Sequence, residues 1–276
     1  MRPLRPAPRA QPGVGAAVPW PLGVPALLGT LFLLVPLLGL LVRAPWRGLS
    51  GILADSAVAE ALRLSLLCAS AATVLSVLLG VPLAWVLARG RFPGLALLRA
   101  LVTLPLVLPP VVGGVALLLA LGRQGIVGRE LAALTGITLP FSTAGVVVAE
   151  TFVAMPFLVV TVEGAFRGAD RGYEEAAATL GATRLTVFRR VTLPLAAPSL
   201  VAGAVLCWAR ALGEFGATIT FAGNFPGRTQ TMPLAVYVAL ESRPESAIAL
   251  SLVLLAVSVS VLVLLRSRWL GPAPLQ

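Results

Sequence analysis

The stretch Tyr173-Glu174-Glu175-Ala176-Ala177-Ala178-Thr179-Leu180-Gly181, followed after nine residues by Val191 and then Leu193-Pro194, lies in an arginine-rich loop between two long apolar segments. Tyr173 to Leu180 is rich in Ala and Glu, both strong helix formers. Gly181 fits the left-handed residue that ends a helix. Thr183 is expected to cap a second short helix running through Phe188 and Arg190. Pro194 and Pro198 are expected to stop that helix and start the next apolar segment. The result is two short helices meeting at a glycine. Ala176, Ala177 and Ala178 give the first of them a face without bulk, suited to lying in a groove of another protein. Glu174 and Glu175 fall in its first turn, where the helix dipole favours negative charge. The competing reading is an ordinary interfacial hairpin, since alanine-rich helices ended by glycine are common.

Outward from this loop the chain is mostly hydrocarbon. Of its 276 residues 58% are hydrophobic and 12% charged. No soluble domain hides that much apolar side chain, so the solvent is mostly lipid. A span needs about 20 apolar residues to cross roughly 30 Å of hydrocarbon. Six segments qualify, at about 22–42, 61–87, 97–121, 142–162, 198–221 and 246–265. In lipid the backbone must satisfy itself, so these are helices and the fold class is all-α and polytopic. Residues 1–21 read as a disordered, basic, proline-rich tail rather than a signal peptide. Residues 22–268 read as one transmembrane domain with a polar loop at 163–197, and 269–276 as a short tail.

Arginine sets the orientation, because all 21 basic residues are Arg. With the N-terminus inside, the cytoplasmic flanks hold Arg2, Arg5, Arg9, Arg89, Arg91, Arg99, Arg167, Arg171, Arg184, Arg189, Arg190, Arg266 and Arg268. The opposite side holds only Arg43, Arg47, Arg123, Arg129, Arg228 and Arg243. The positive-inside bias thus puts both termini and the polar loop in the cytoplasm. The two cysteines, Cys68 and Cys207, sit inside spans and give neither a disulfide framework nor a metal spacing.

Charge within a span costs roughly 2.5–3.5 kcal/mol, far more than one central Leu or Val returns. Arg210 and Glu214 are four apart on one helix face and can pair. They read either as a self-neutralising pair or as a polar wall of a transport path. Glu150 has no local partner, and the sequence leaves open whether it is protonated or paired across helices. The run from Pro105 to Gly114, with Pro109, Pro110 and Gly113, reads as pore lining or as a kinked packing interface. With no histidine and no intramembrane Asp, a membrane-embedded enzyme lacks its constellation. A secondary transporter would need intramembrane ion ligands and internal repeats, and the chain offers only Glu150 and Glu214.

With its full spacing the polar loop resembles that of binding-protein-dependent ABC importer permeases, with Val191 where isoleucine is usual. The resemblance covers about residues 22–268 and implies the type I permease architecture. It implies that Glu174, Glu175, Ala176, Ala177, Gly181, Leu193 and Pro194 belong to coupling helices seated on an ATPase. The chain has no G-x-x-x-x-G-K-[ST], so ATP and magnesium belong to a partner chain and this subunit binds no cofactor. One docking loop per chain and a paired ATPase imply a homodimer, two ATPase subunits, an extracytoplasmic oxyanion-binding protein, and no nucleic acid. The setting implied is a bacterial or archaeal cytoplasmic membrane.

Two further stretches are similar to the molybdate branch of that family. One is Leu104-Pro105-Leu106-Val107-Leu108-Pro109-Pro110 with Gly122-Arg123-Gln124-Gly125-Ile126-Val127-Gly128. The other runs from Arg210 to Tyr237. Gly213-Glu214-Phe215-Gly216-Ala217 and Ala222-Gly223-Asn224 are shared with sulfate and thiosulfate permeases, while Pro226 to Leu234 leans toward molybdate. Tungstate remains a further alternative. The path residues expected from this resemblance and from the spans are Pro109, Pro110, Gly113, Glu150, Arg210, Glu214, Thr218 and Asn224.

Overall fold

The computed structural model describes residues 20–269; the expected tails at 1–21 and 269–276 lie almost wholly outside the described residues. The backbone divides into a first unit ending at Arg43 and a second from Ala44 onward. The first contains helix α1, Trp20–Val42, whose 23 residues rise about 35 Å, enough to cross a bilayer. Its apolar side chains are exposed along its length, as for Phe32 and Leu33.

The second unit is built on three helices. After a short α2, Leu49–Leu53, comes α3, Ser56–Arg89, capped by Asp55, whose carboxylate accepts from Ala57 N–H at 3.0 Å. At 34 residues α3 rises about 51 Å, well beyond the roughly 30 Å of hydrocarbon. Helix α7, Thr143–Gly168, and helix α10, Leu193–Leu212, pack against it. Every fourth residue of α3 is small and buried along Cys68, Ala72, Ser76, Gly80 and Ala84. The facing stripe of α7 is Ala154, Leu158, Val162 and Phe166, also buried. Lipid offers no hydrophobic drive for helix association, so close approach through small residues carries the packing.

Two expected spans are broken. The segment 97–121 forms α4, Leu95–Val107, and α5, Pro110–Leu121. Between them Leu108 and Pro109 are extended, with ψ of 131° at each. Each precedes a proline, which forces it out of the helical region. The break therefore falls at Pro109-Pro110 and not at Pro105, which stays inside α4. The segment 198–221 forms α10 and a separate α11, Gly216–Phe221. Five described helices are long and apolar enough to cross a membrane, while α4 and α5 are apolar but each too short to do so alone.

Several helices went unanticipated or run longer than expected. Helix α6, Gly128–Thr135, and helix α12, Met232–Ser242, lie between the expected spans. Met232 N–H donates to the buried Ser65 hydroxyl at 2.7 Å, tying the start of α12 to α3. Helix α13, Pro244–Trp269, closes the unit. Helix α7 continues six residues beyond 162, so the polar loop proper starts after Gly168.

Candidate functional site

The elbow is made of helix α8, Arg171–Thr179, and the short helix α9, Arg184–Val187. Asp170 caps α8 by accepting from Gly172 N–H at 2.8 Å. At its other end Ala182 N–H bonds Ala177 O at 3.1 Å and Gly181 N–H bonds Ala178 O at 3.0 Å. This paired closure needs a left-handed residue, and Gly181 supplies it with φ of +84°. Thr183 caps α9 through Thr186 N–H. Contrary to the expectation from Pro194, the second helix does not stop. It passes through a π-helical turn, Phe188–Thr192, directly into α10. Leu193 N–H bonds Phe188 O five residues back, so the wider turn absorbs the helical disruption that Pro194 would otherwise cause.

The two glutamates of the elbow have different surroundings. Glu174 turns inward: Arg89 Nη2, at the end of α3, donates to its Oε1 at 2.9 Å, and the Thr192 hydroxyl donates to the same oxygen at 3.0 Å. One carboxylate thus joins α3, α8 and the π-turn. Glu175 is exposed, as are Ala176, Ala178 and Leu180, while Ala177 is half-buried. Leu193 is half-buried against the core and Pro194 exposed. Phe188 packs edge-on against Trp85 and Phe166, with ring centroids 5.9 and 6.2 Å away. Beside it, Glu163 accepts from Arg99 at 3.1 Å and Arg167 at 2.9 Å, and Arg99 also donates to Leu87 O. The elbow is therefore clamped to the end of α3 through Glu174, and the π-turn that follows it packs on α3 and α7 through Phe188, with an alanine face left open. Sequence reasoning missed Arg89 and Thr192, whose partners are distant in the chain. Glu163 and Arg167 carried a readable i,i+4 signal.

Deeper in the bundle the expected pair forms. Arg210 Nη2 lies 2.6 Å from Glu214 Oε2, and Glu214 is 1% exposed. The other carboxylate oxygen accepts Ala217 N–H at 2.8 Å, so Glu214 also anchors the first turn of α11. Helix α11 lies very close to α5. A Cβ on Gly216 would meet Pro110 Cβ at 2.9 Å, and one on Gly114 would meet Thr220 Cβ at 2.6 Å. A Cβ on Gly113 would meet the Phe152 ring of α7 at 3.1 Å. Glu150 is buried in α7 between Ala149 and Val153, which pack on Ala217 and Phe221 of α11.

Among the described residues Glu150 Oε2, Thr218 Oγ1 and Asn224 Oδ1 are buried without a hydrogen-bond partner. Each such atom costs about 1–3 kcal/mol. The structure thus gathers Pro110, Gly113, Glu150, Glu214 and Thr218 where α5, α7 and α11 meet, with Arg210 at the edge. Pro109 sits in the break just before α5, and Asn224 lies past the end of α11.

Comparison with known proteins bears on most of the chain. Residues 76–273 match the family described as binding-protein-dependent transport system inner membrane component. The molybdenum transport system permease protein ModB of Mycobacterium tuberculosis is 52% identical over 228 residues, covering 83% of this chain and 86% of that protein. The sulfate transport system permease protein CysT of Salmonella typhimurium is 39% identical over 223 residues, covering 80% of each. In fold, the chain is similar to a bacterial alginate ABC transporter solved in complex with an alginate pentasaccharide-bound periplasmic protein. The TM-score is 0.72 at 18% identity, over 92% of this chain and 96% of that one. This chain belongs to the inner-membrane components of binding-protein-dependent transport systems, and it is a membrane-spanning transport subunit.

Proposed function

We propose that the chain is the permease subunit of an ATP-driven importer of a tetrahedral oxyanion, molybdate first. It works as a homodimer with two ATPase subunits, which hold ATP and magnesium, and receives cargo from an extracytoplasmic binding protein. Its membrane is the cytoplasmic membrane of a bacterium or archaeon, with both termini inside. The observation that carries the substrate is the half-identical molybdenum permease, which spans most of both chains. The lower identity to a sulfate permease over a similar length favours molybdate over sulfate.

The elbow supports the energy source. An alanine face anchored to the end of α3 suits the docking of a groove-bearing partner. Arg89 ties that elbow to α3, and Arg99 with Glu163 ties α3, α4 and α7 to one another, so movement imposed on the elbow reaches the bundle. At the junction of α5, α7 and α11, Glu150 Oε2 and Thr218 Oγ1 lack protein partners in this arrangement, beside the paired Glu214. An intramembrane ionisable group is by default a functional-site candidate, and a second arrangement or entering water would satisfy these groups. The path reading of Glu150, Arg210, Glu214 and Thr218 rests on this.

The test is reconstitution of the homodimer with its ATPase and binding protein in liposomes, comparing molybdate, tungstate and sulfate uptake. ATP-dependent molybdate uptake exceeding sulfate uptake is expected. Equal or faster sulfate uptake overturns the substrate, and uptake without ATP overturns the energy source.

A further inference from the structure

At the end of the bundle opposite the elbow, two loops face one another across a cavity of about 410 Å³. The first, residues 122–128, folds back on α5. Ile126 N–H and Val127 N–H donate to the carbonyls of Leu119 and Ala120, and Gly125 N–H to that of Gly122. It carries Arg123. The second, residues 222–231, is wound around one carbonyl: the N–H groups of Arg228, Thr229 and Gln230 all donate to Phe225 O. Phe225 N–H donates to the Thr229 hydroxyl, and the Thr143 hydroxyl at the start of α7 donates to Arg228 O at 2.9 Å. This loop carries Arg228. Edge-to-face contact of Phe225 with Phe141, just before α7, centroids 6.1 Å apart, ties the second loop to the cavity wall.

The cavity wall combines Arg123, Arg228 and Thr138 with the apolar surfaces of Leu118, Pro140 and Phe141. No carboxylate lines it, and among the described residues neither arginine forms an ion pair. Glu130 is already paired with Arg129, and Glu60, which lies against Gly227, is not part of the wall. Two guanidinium groups on internally bonded loops, beside a low-dielectric wall and without a counter-charge, form a concave positive site. The planar forks match pairs of oxygens on a compact anion, and two positive charges match a dianion better than a single carboxylate.

We infer that the Arg123–Arg228 cavity is a receiving site for the tetrahedral dianion, occupied between its release outside and its entry to the path. This inference rests on the oxyanion-import reading. Both arginines are exposed to solvent, which keeps binding weak and lets the ion move on.

The experiment uses the complete transporter with ATPases and binding protein in liposomes, comparing wild type with Arg123→Gln/Arg228→Gln and Arg123→Lys/Arg228→Lys. The Gln pair should lower molybdate uptake per bound binding protein about tenfold while changing binding-protein affinity less than about twofold, and the Lys pair should recover part of the rate. Crystals of the wild-type complex soaked in tungstate should give anomalous density between the two arginines. Unchanged uptake, or density absent there, overturns the receiving site. So does a loss of uptake that follows a loss of binding-protein affinity, since the arginines would then hold carboxylates of that protein. Wild-type vesicles that carry no oxyanion overturn the transport reading itself, a result separate from any difference between variants.

Discussion

Replacing Arg89 by alanine should loosen the elbow without unfolding the bundle. The Arg89 and Glu174 side chains are 10% and 21% exposed, so their 2.9 Å ion pair is shielded from solvent on one flank. Exposed pairs contribute about 0–1 kcal/mol, and breaking a fully buried one costs about 3–5 kcal/mol. This pair lies between those limits, and the Thr192 hydroxyl shares the same carboxylate oxygen. A cost of about 2–3 kcal/mol is therefore expected, or roughly 30- to 150-fold in the local opening equilibrium. Helix α8 has only nine residues, too few to persist without its tertiary anchor. Amide hydrogen exchange of residues 172–182 in the intact transporter measures the effect. Those amides should exchange faster by that factor, with protection in α3 and α7 unchanged. Exchange altered less than about twofold refutes the clamp. A double-mutant cycle with Glu174→Ala isolates the pair, and near-zero coupling would assign the anchor to Phe188 packing instead.

Other substitutions probe the remaining geometry. Glu214→Ala strands the Arg210 guanidinium and the Ala217 N–H, at about 3–5 kcal/mol, so the detergent-solubilised protein should melt lower. Arg210→Met with Glu214→Leu should recover much of that loss, and a double variant melting below Glu214→Ala would contradict this. Gly114→Ala forces a methyl within 2.6 Å of Thr220 Cβ and should cost about 1–3 kcal/mol, read as a lowered thermal midpoint. Gly181→Ala must hold φ of +84° with a Cβ, costing about 1–2 kcal/mol. Titration of ATPase binding should report weaker association for it, and unchanged affinity would remove Gly181 from the docking geometry.

Much of this architecture was readable because its signals are local. Apolar runs of span length marked the long helices, and Ala, Glu, Gly181 and Thr183 marked the elbow. The Arg210–Glu214 pair followed from spacing alone. Breaks were harder, because several prolines compete. Pro105 and Pro109 both lie in one apolar run, and only the doubled proline at 109–110 forces two consecutive extended residues. Pro194 looked like a stop, yet a π-turn let the helix pass. Neither effect has a signature in composition. Arg89 with Glu174 and Ser65 with Met232 join residues far apart in sequence, so only the packed structure brings them together. The orphaned oxygens of Glu150 and Thr218 were likewise invisible until α7 and α11 were seen side by side.

The central claim is that the elbow lies inside the cell and takes the push of an ATPase. Leu180 is 89% exposed at its tip, and both native cysteines are buried, so Leu180→Cys provides a single reactive thiol there. A membrane-impermeant maleimide applied to intact cells and to inside-out vesicles reads its side directly. Labelling confined to inside-out vesicles, and suppressed when the ATPase is bound, is the predicted result. Labelling of Leu180→Cys in intact cells would place the elbow outside and contradict the account.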